Sequence, residues 1–264
     1  MTNKTKPAVP TAAVIIIGNE ILSGRTQDVN LNVIAKQMHD IGVKLIEARV
    51  VPDIEEEIIA AVNALRSRAT YVFTTGGIGP THDDITAASI AKAFGVPLVE
   101  NPEARATLET YYMSDNLNAA RLRMASVPQG AKLIANPISA APGFQIENVY
   151  VMAGVPSVME IMLASVVKGL QPGPRLHVVT IICAVPEGLL ADSLTDVAVR
   201  YAELDIGSYP AFQQGKISTS LVLRGTDKTT VATAARAIRE IIVRLGGSPV
   251  VMWQSGESYS FGGV

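Results

Sequence analysis

The residues best suited to chemistry lie in one glycine-rich segment, TTGGIGPTHDD, at residues 74–84. Gly76, Gly77 and Gly79 lack the β-carbons that would block close backbone approach, and glycine adopts positive φ readily, so several amide N–H groups can converge on one oxyanion. Phosphate suits such a group of amides. The segment is neither a Rossmann GxGxxG nor a Walker motif, because its glycine spacing differs and no Lys-Ser/Thr follows Gly79. A tight structural turn is the alternative.

The segment ends in an acidic pair, Asp83 and Asp84. Two carboxylates repel a bare phosphate unless a divalent cation lies between them. Carboxylate oxygens together with phosphate are the usual ligands of Mg²⁺. Helix N-capping is the alternative role for one of the two aspartates. The pair therefore predicts a site for Mg²⁺, or another divalent cation, together with phosphate.

Two more loops follow apolar strands, as this one does: GNE at residues 18–20 and AGVPS at residues 153–157. In an open parallel sheet, ligands bind outside the carboxyl ends of the strands, where such loops meet. Glu20 can accept from a pterin or nucleobase donor or share a metal, and an ordinary surface glutamate is its alternative. The predicted ligand-binding residues are Gly18, Glu20, Thr75, Gly76, Gly77, Gly79, Pro80, Thr81, Gly154 and Pro156.

These loops need an alternation of strands and helices to position them. Apolar runs and helical periodicity predict strands at 12–17, 44–51 and 70–74, and helices at 28–41, 54–68 and 85–94. Asp53 and Glu56 match a capping box at the start of the second helix. Repeated βα units indicate an α/β fold with a mostly parallel sheet covered by helices.

The pattern changes at residues 171–174, QPGP, which we interpret as a linker. We predict an α/β domain over residues 1–170 and a small α+β two-layer domain over residues 175–253 in the order β-α-β-β-α-β. Residues 254–264 lack periodicity and are predicted to form a flexible tail.

Composition excludes several classes of function. With 22 basic and 24 acidic residues the net charge is −2, so no overall positive field recruits nucleic acid or an anionic membrane. The apolar run at residues 12–17 is too short for a signal sequence or a membrane span, which favours a cytoplasmic location. The single cysteine, Cys183, lies in an apolar run and is expected to be an inert, buried thiol.

The chain resembles the molybdopterin-binding domain of the MoaB/MogA type, as it occurs in CinA-like proteins and FAD-synthase-associated proteins. The resemblance rests on IIIGNEILSG followed by TQDVN, on VVPD, on FTTGGIGPTHDDIT and on a degenerate PGVPsEM element at residues 153–159. Beyond the linker, IGSYPAF and SLVLRG are similar to the second domain of the CinA-like branch. The resemblance thus covers nearly the whole chain.

This resemblance implies a three-layer α/β/α fold that binds a pterin or a nucleotide diphosphate with Mg²⁺. It assigns metal and phosphate handling to Asp53 and Asp84, and we add Asp83 to the predicted catalytic residues. CinA-like relatives hydrolyse substrates such as ADP-ribose, whereas MogA-type relatives adenylylate molybdopterin. The IGSYPAF domain favours a pyrophosphatase, and molybdopterin binding, adenylylation or a non-catalytic binding module are the alternatives. The family also implies a homo-oligomer.

Four positions depart from the family pattern. Ala153 replaces the leading proline of PGVPsEM and Val158 stands where that element has a glutamate. Ser139 and Ala140 replace the glycine and threonine of NPxGTAPG. Whether the site turns substrate over or only binds it depends on these positions.

Overall fold

A computed structural model of the protein describes residues 9–213 and 216–253. The chain divides after Gly173 into two units. The strands of the first unit are β1 (Thr11–Ile17), β2 (Lys44–Val51), β3 (Tyr71–Thr75), β4 (Leu98–Glu100), β5 (Ser126–Pro128), β6 (Lys132–Ile134), β7 (Gly143–Ile146) and β8 (Val149–Met152). Its helices are α1 (Asn19–Leu22), α2 (Asn30–Asp40), α3 (Glu55–Arg66), α4 (Thr86–Phe94), α5 (Pro102–Asn116), α6 (Ala119–Leu122) and α7 (Pro156–Val167), with a 3₁₀ turn at Arg123–Ala125.

Six strands form the main sheet, in the order β2-β1-β3-β8-β7-β6. The strands β2, β1, β3 and β8 are parallel, and β7 runs antiparallel to its neighbours. A separate two-stranded ribbon pairs β4 with β5. The sheet is therefore mostly parallel, as the sequence predicts.

Strand β1 lies between two layers of helices, one on each face of the sheet. Its side chains alternate between faces, as in any strand: Val14 and Ile16 pack with α2 and α7, whereas Ile15 and Ile17 pack with α3 and α4. Burial on both faces explains why its sequence is an unbroken apolar run. The three-layer α/β/α prediction is confirmed.

The β7–β8 hairpin is the main element that the sequence analysis missed. Ile146 pairs with Val149, which leaves a two-residue turn of Glu147 and Asn148. Glu147 has φ 47°, a conformation such turns require but one for which glutamate gives no signal. The polar stretch from Pro102 to Leu122 forms two helices, α5 and α6, and Met113 inside α5 has a non-helical φ of 50°.

The second unit contains β9 (His177–Cys183), α8 (Glu187–Arg200), β10 (Asp205–Gln213), β11 (Lys216–Gly225), α9 (Lys228–Arg244) and β12 (Val250–Trp253). Its strands form an antiparallel sheet in the order β10-β11-β9-β12. Leu190 and Ile238 from the helices pack on Ile181 and Leu221 from the sheet, and Cys183 is buried in the same core. The predicted two-layer α+β domain is confirmed.

Residues 254–264, the predicted tail, lie outside the described residues. Among the residues that the structure describes, no helix is both long and apolar enough to cross a membrane.

Candidate functional site

The loops that follow the four parallel strands lie at one edge of the main sheet, because parallel strands end at the same edge. Two hydrogen bonds join the loops after β1 and β2. Gly18 donates its N–H to the Val51 carbonyl at 3.1 Å, and Asn19 donates its N–H to Asp53 Oδ2 at 2.8 Å. Asp53 therefore fixes the position of the loop that carries Glu20.

The predicted capping box at Asp53 and Glu56 is wrong. The N-cap of α3 is Ile54, which has no side-chain capping bond. The Asp53 carboxylate instead turns to Asn19, whose amide lies at the start of α1 and has no partner within that short helix. Asp53 therefore bonds Asn19 on another loop instead of capping α3. Sequence spacing alone does not reveal this tertiary bond.

Two glycines allow the loops after β1, β3 and β8 to touch through their backbones. Gly76 has φ 103°, and a β-carbon there would lie 2.1 Å from the Ile17 carbonyl oxygen. A β-carbon on Gly154 would lie 3.2 Å from the Gly76 Cα, and Gly76 donates its N–H to the Met152 carbonyl at 3.2 Å. These predicted ligand-binding glycines have a structural role at this crossing.

Thr86, which the sequence analysis did not select, anchors the glycine-rich loop to α4. It is fully buried, donates its hydroxyl to the Gly76 carbonyl at 3.0 Å and donates its N–H to the Gly77 carbonyl at 3.0 Å. A β-carbon on Gly77, at φ 66°, would lie 2.2 Å from the Thr86 hydroxyl. Its place two residues after the acidic pair in THDDIT was the only signal in the sequence.

Asp84 closes the glycine-rich loop from within. Its Oδ1 accepts from the Gly79 N–H at 2.7 Å, and its Oδ2 accepts from the Thr81 N–H at 2.8 Å and from the Thr81 hydroxyl at 2.6 Å. A β-carbon on Gly79 would lie 2.7 Å from Asp84 Oδ2. Asp84 therefore holds the loop in shape, and donors of the loop itself surround its carboxylate.

Asp83 is the more exposed member of the acidic pair. The Thr81 hydroxyl lies between the Asp83 and Asp84 carboxylates, within hydrogen-bond distance of both. Its hydrogen bond lowers the pKa of Asp83, so this carboxylate is ionised at neutral pH. His82 is 98% exposed, with Nδ1 3.9 Å from Asp83 Oδ1. This end of the loop is therefore anionic and open to solvent.

A cavity of about 420 Å³, here the large cavity, lies beside the glycine-rich loop. Gly77, Gly79, Thr81 and Asp84 line it on one side. Arg123 lines it on another side, and its guanidinium donates to the Pro80 carbonyl at 2.9 Å. Among the described lining residues Arg123 is the one lysine or arginine. Sequence reasoning missed it because it lies some forty residues away in a polar stretch.

A smaller cavity of about 60 Å³, here the small cavity, lies between the loops after β1, β3 and β8. Glu20, Thr75, Gly154 and Pro156 line it, as do Asp28 and Asn30 at the start of α2. Asn30 donates its amide to the Gly154 carbonyl at 2.7 Å. Four of the predicted ligand-binding residues thus meet at one cavity, together with Asn30, which sequence reasoning missed.

The positions that depart from the family pattern are built into the fold. Val158 lies in the first turn of α7 and is buried in the core. Asn136 donates its amide to the Ser139 hydroxyl at 2.6 Å and to the Ala141 carbonyl at 2.8 Å. Ala140 has φ 61°, which a non-glycine residue adopts at some cost. The same loop ends at Pro142, which lines the large cavity.

The acidic residues fit a divalent cation that binds together with phosphate. The described residues contain no group of three or more His, Cys, Asp or Glu side chains that could hold a metal by themselves. Mg²⁺ is commonly held by one or two carboxylates together with ligand phosphates and water. Asp83 and Asp84 can supply the carboxylates. Asp53 lines neither the large nor the small cavity, so the structure does not bring Asp53 and Asp84 together in one cavity.

The fold and its edge of glycine-containing loops define a three-layer α/β/α ligand-binding domain. Residues 13–176 match the family described as "Probable molybdopterin binding domain", and the chain belongs to this family. Residues 175–244 match "FAD synthase, middle domain". The resemblance drawn from the motifs is confirmed.

Individual relatives agree with this assignment. A CinA-like protein of Desulfosudis oleivorans is 36% identical over 176 residues, which are 63% of this chain and 43% of that protein. A "Probable FAD synthase" of Caenorhabditis elegans is 28% identical over 262 residues, 89% of this chain and 50% of that protein. The chain thus spans half or less of these two relatives. The crystal structure of the protein CinA, with unknown function, from Thermoplasma acidophilum covers 61% of this chain and 98% of that chain, at 34% identity and a TM-score of 0.58.

Proposed function

We propose that the protein is a metal-dependent pyrophosphatase that hydrolyses ADP-ribose or a related dinucleotide. The large cavity carries this proposal, because it combines backbone amides of a glycine-rich loop, an aspartate and an arginine in a space of about 420 Å³. A diphosphate needs hydrogen-bond donors and positive charge on its oxygens. The similarity to CinA-like and FAD synthase sequences also supports a nucleotide ligand.

In this proposal each residue has a definite role. The Arg123 guanidinium and the Gly77 N–H would bind the diphosphate oxygens, and Asp84 holds the adjoining turn in shape through the Gly79 N–H. Asp84 and Asp83 would hold the metal, which would neutralise charge on the diphosphate, whereas Asp53 supports the loop after β1 through its bond to Asn19. Water attacks one phosphorus, the bond from that phosphorus to the bridging oxygen breaks, and AMP and ribose 5-phosphate form with release of the water proton.

Molybdopterin binding or adenylylation is the second candidate function. It is supported by the family match over residues 13–176, which includes every described residue that lines either cavity. A pterin carrying a phosphate offers the same two chemical parts as a nucleotide, a heterocycle and an anion. The two candidates differ in the reaction, because adenylylation consumes ATP and releases pyrophosphate. A cytoplasmic location and a homo-oligomer remain predictions beside both.

The test is an assay of ADP-ribose with the purified full chain. We expect AMP release with Mg²⁺ or Co²⁺ and none after chelation. Asp83→Asn and Asp84→Asn should each lower turnover more than about 100-fold, because each removes one negative charge from the proposed metal site while keeping the shape of the side chain. Glu57→Gln, an exposed site in the first turn of α3, is the control and should turn over normally.

Two results would overturn the pyrophosphatase proposal: no AMP release with any divalent cation, or equal turnover by both aspartate variants and the control. A parallel reaction with molybdopterin and Mg-ATP, followed by pyrophosphate release, tests the second candidate. Pterin-dependent pyrophosphate release without ADP-ribose hydrolysis would favour adenylylation.

A further inference from the structure

Two buried polar atoms at the small cavity have no hydrogen-bond partner within the part of the chain that the structure describes: Asn30 Oδ1 and Thr75 Oγ1. Asn30 is 4% exposed and Thr75 is 1% exposed, and both residues line the cavity. Buried polar groups in native proteins almost always have a partner, so each exception calls for a physical reason. A ligand group that enters the small cavity would supply the missing partner.

The orientation of Asn30 defines what that group must offer. Its Nδ2 donates to the Gly154 carbonyl at 2.7 Å, which leaves Oδ1 free only as an acceptor. Thr75 Oγ1 can also accept. The matching ligand group is therefore a hydrogen-bond donor.

The charge of the small cavity agrees with a donor and disfavours an anion. Glu20 and Asp28 line it, and Asp28 Oδ1 also accepts from the Leu31 N–H at 3.0 Å. Among the described lining residues there is no lysine, arginine or histidine. A phosphate would be repelled here, in contrast to the large cavity with its arginine.

Size and position agree with a ligand that spans both cavities. A single water needs about 10–15 Å³ of such space, so the roughly 60 Å³ of the small cavity takes more than one water but only part of a nucleotide. Thr75 lines the small cavity and Gly77 the large one, with only Gly76 between them in the chain. One ligand can therefore place its phosphates in one cavity and its heterocycle in the other.

We propose that the small cavity binds the amino-bearing edge of a fused heterocyclic base, either a purine or a pterin, with Asn30 Oδ1 and Thr75 Oγ1 as the acceptors. The exocyclic amine is the chemistry that the two bases share. This assignment extends the proposed function, since it states which part of its ligand lies outside the large cavity. It concerns binding and needs no turnover.

The test compares matched ligands that differ in the amine. Calorimetry on the full chain should show AMP binding about tenfold more tightly than IMP, or pterin about tenfold more tightly than lumazine, because each second compound has an oxo group in place of the amine. The pair of compounds that the protein binds with different affinities shows whether the base is a purine or a pterin. Discrimination in both pairs indicates that the cavity accepts either base.

Two variants and one control connect this preference to the cavity. Thr75→Val and Asn30→Leu should each bring the ratio of affinities for the amino and oxo compounds, here the amine preference, close to one. Thr74→Val is the matched control, because Thr74 is also fully buried with an unpartnered hydroxyl but lines neither cavity, so its preference should match the wild type. Thr75→Val preserves shape and keeps the test valid if Asn30→Leu, which also loses the bond to Gly154, fails to fold.

The proposal is overturned if the wild type discriminates neither pair, or if Thr75→Val retains the full preference. Ordered water alone in the small cavity would give the first of these results. An amine preference that Thr75→Val abolishes, in a protein that never hydrolyses ADP-ribose, would support this assignment and reject the pyrophosphatase. Hydrolysis without any amine preference would support the pyrophosphatase and reject this assignment.

Discussion

The glycine-rich loop and the small cavity are neighbours that differ in whether their polar side chains have hydrogen-bond partners. In the loop, Asp84 accepts from Gly79 and Thr81, and Thr86 donates to Gly76. In the small cavity, the acceptor atoms of Asn30 and Thr75 have no partner among the described residues. The Asp84 carboxylate is therefore partnered within its own loop, whereas the two acceptors of the small cavity need a partner from outside.

This difference separates preorganisation from recognition. A loop whose backbone is already held in place loses little conformational entropy when a ligand binds beside it. An unpaired acceptor lowers the stability of the free protein and gives specificity, because only a ligand with a matching donor relieves it. Substitutions in the loop should therefore destabilise the protein, and substitutions at the unpaired hydroxyl should not.

The largest effect is expected for Gly76→Ala. A β-carbon there would lie 2.1 Å from the Ile17 carbonyl oxygen, at φ 103°. Overpacking and backbone strain together should lower the free energy of unfolding by about 3–5 kcal/mol. Urea denaturation of the full chain measures this directly.

Gly24→Ala is the control for Gly76→Ala. Gly24 also has positive φ, 73°, but a β-carbon there meets nothing within 4 Å. Its substitution should cost only the backbone term of about 1–2 kcal/mol. Equal costs at the two sites would show that backbone contact between the loops after β1 and β3 contributes nothing.

Asp84→Ala should have the next largest effect. It leaves the Gly79 and Thr81 amides without their acceptor, and unsatisfied groups of this kind cost roughly 2 kcal/mol in total. Asp83→Ala is the paired control, because Asp83 is exposed and its carboxylate accepts from the Thr81 hydroxyl without bonding the Gly79 or Thr81 amides that Asp84 holds. Its melting temperature should match the wild type. A melting temperature that falls equally in both variants would mean that Asp84 does not hold the loop.

Arg123→Ala should act on binding more than on stability. Arg123 is exposed to solvent, and its guanidinium donates to the Pro80 carbonyl. Loss of a charged donor to the diphosphate should weaken ADP-ribose binding by about tenfold. Arg123→Lys should recover part of that affinity, since it keeps the charge but loses the planar donor geometry. Unchanged affinity in Arg123→Ala would remove the arginine from the phosphate site.

The architecture could be predicted from the sequence where one local pattern decided it. The apolar run of β1 is buried on both faces, and a short unbroken run of this kind is typical of a central parallel strand. The short strand β7 was missed because its turn residue, Glu147, adopts positive φ without the glycine or asparagine that would signal it. Its position depends on pairing with β8, which is a tertiary effect.

The site was predictable as a set of loops but not as a set of contacts. The glycine spacing predicted the segment at residues 74–84. The loops after β1 and β8 were predicted because each directly follows an apolar strand. The partner of Asp53, however, is Asn19 on another loop, and Arg123 reaches Pro80 from a distant helical turn. Asn30 was overlooked because a polar residue at a helix start is common and ordinarily serves in capping.

The smallest expected effect has the opposite sign and tests the comparison most directly. Thr75→Val replaces a buried, unpartnered hydroxyl with a methyl group of similar shape. Because no hydrogen bond from that hydroxyl is lost and one unpaired polar atom is removed, the free energy of unfolding of the ligand-free protein should stay level or rise by up to about 1 kcal/mol. Thr74→Val should behave alike in stability, since its hydroxyl is equally unpartnered, and only Thr75→Val should lose ligand discrimination. A decrease of more than about 1 kcal/mol in the free energy of unfolding of Thr75→Val would mean that the Thr75 hydroxyl already has a stabilising partner. The small cavity would then be partnered within the protein, as the Asp84 carboxylate of the loop is.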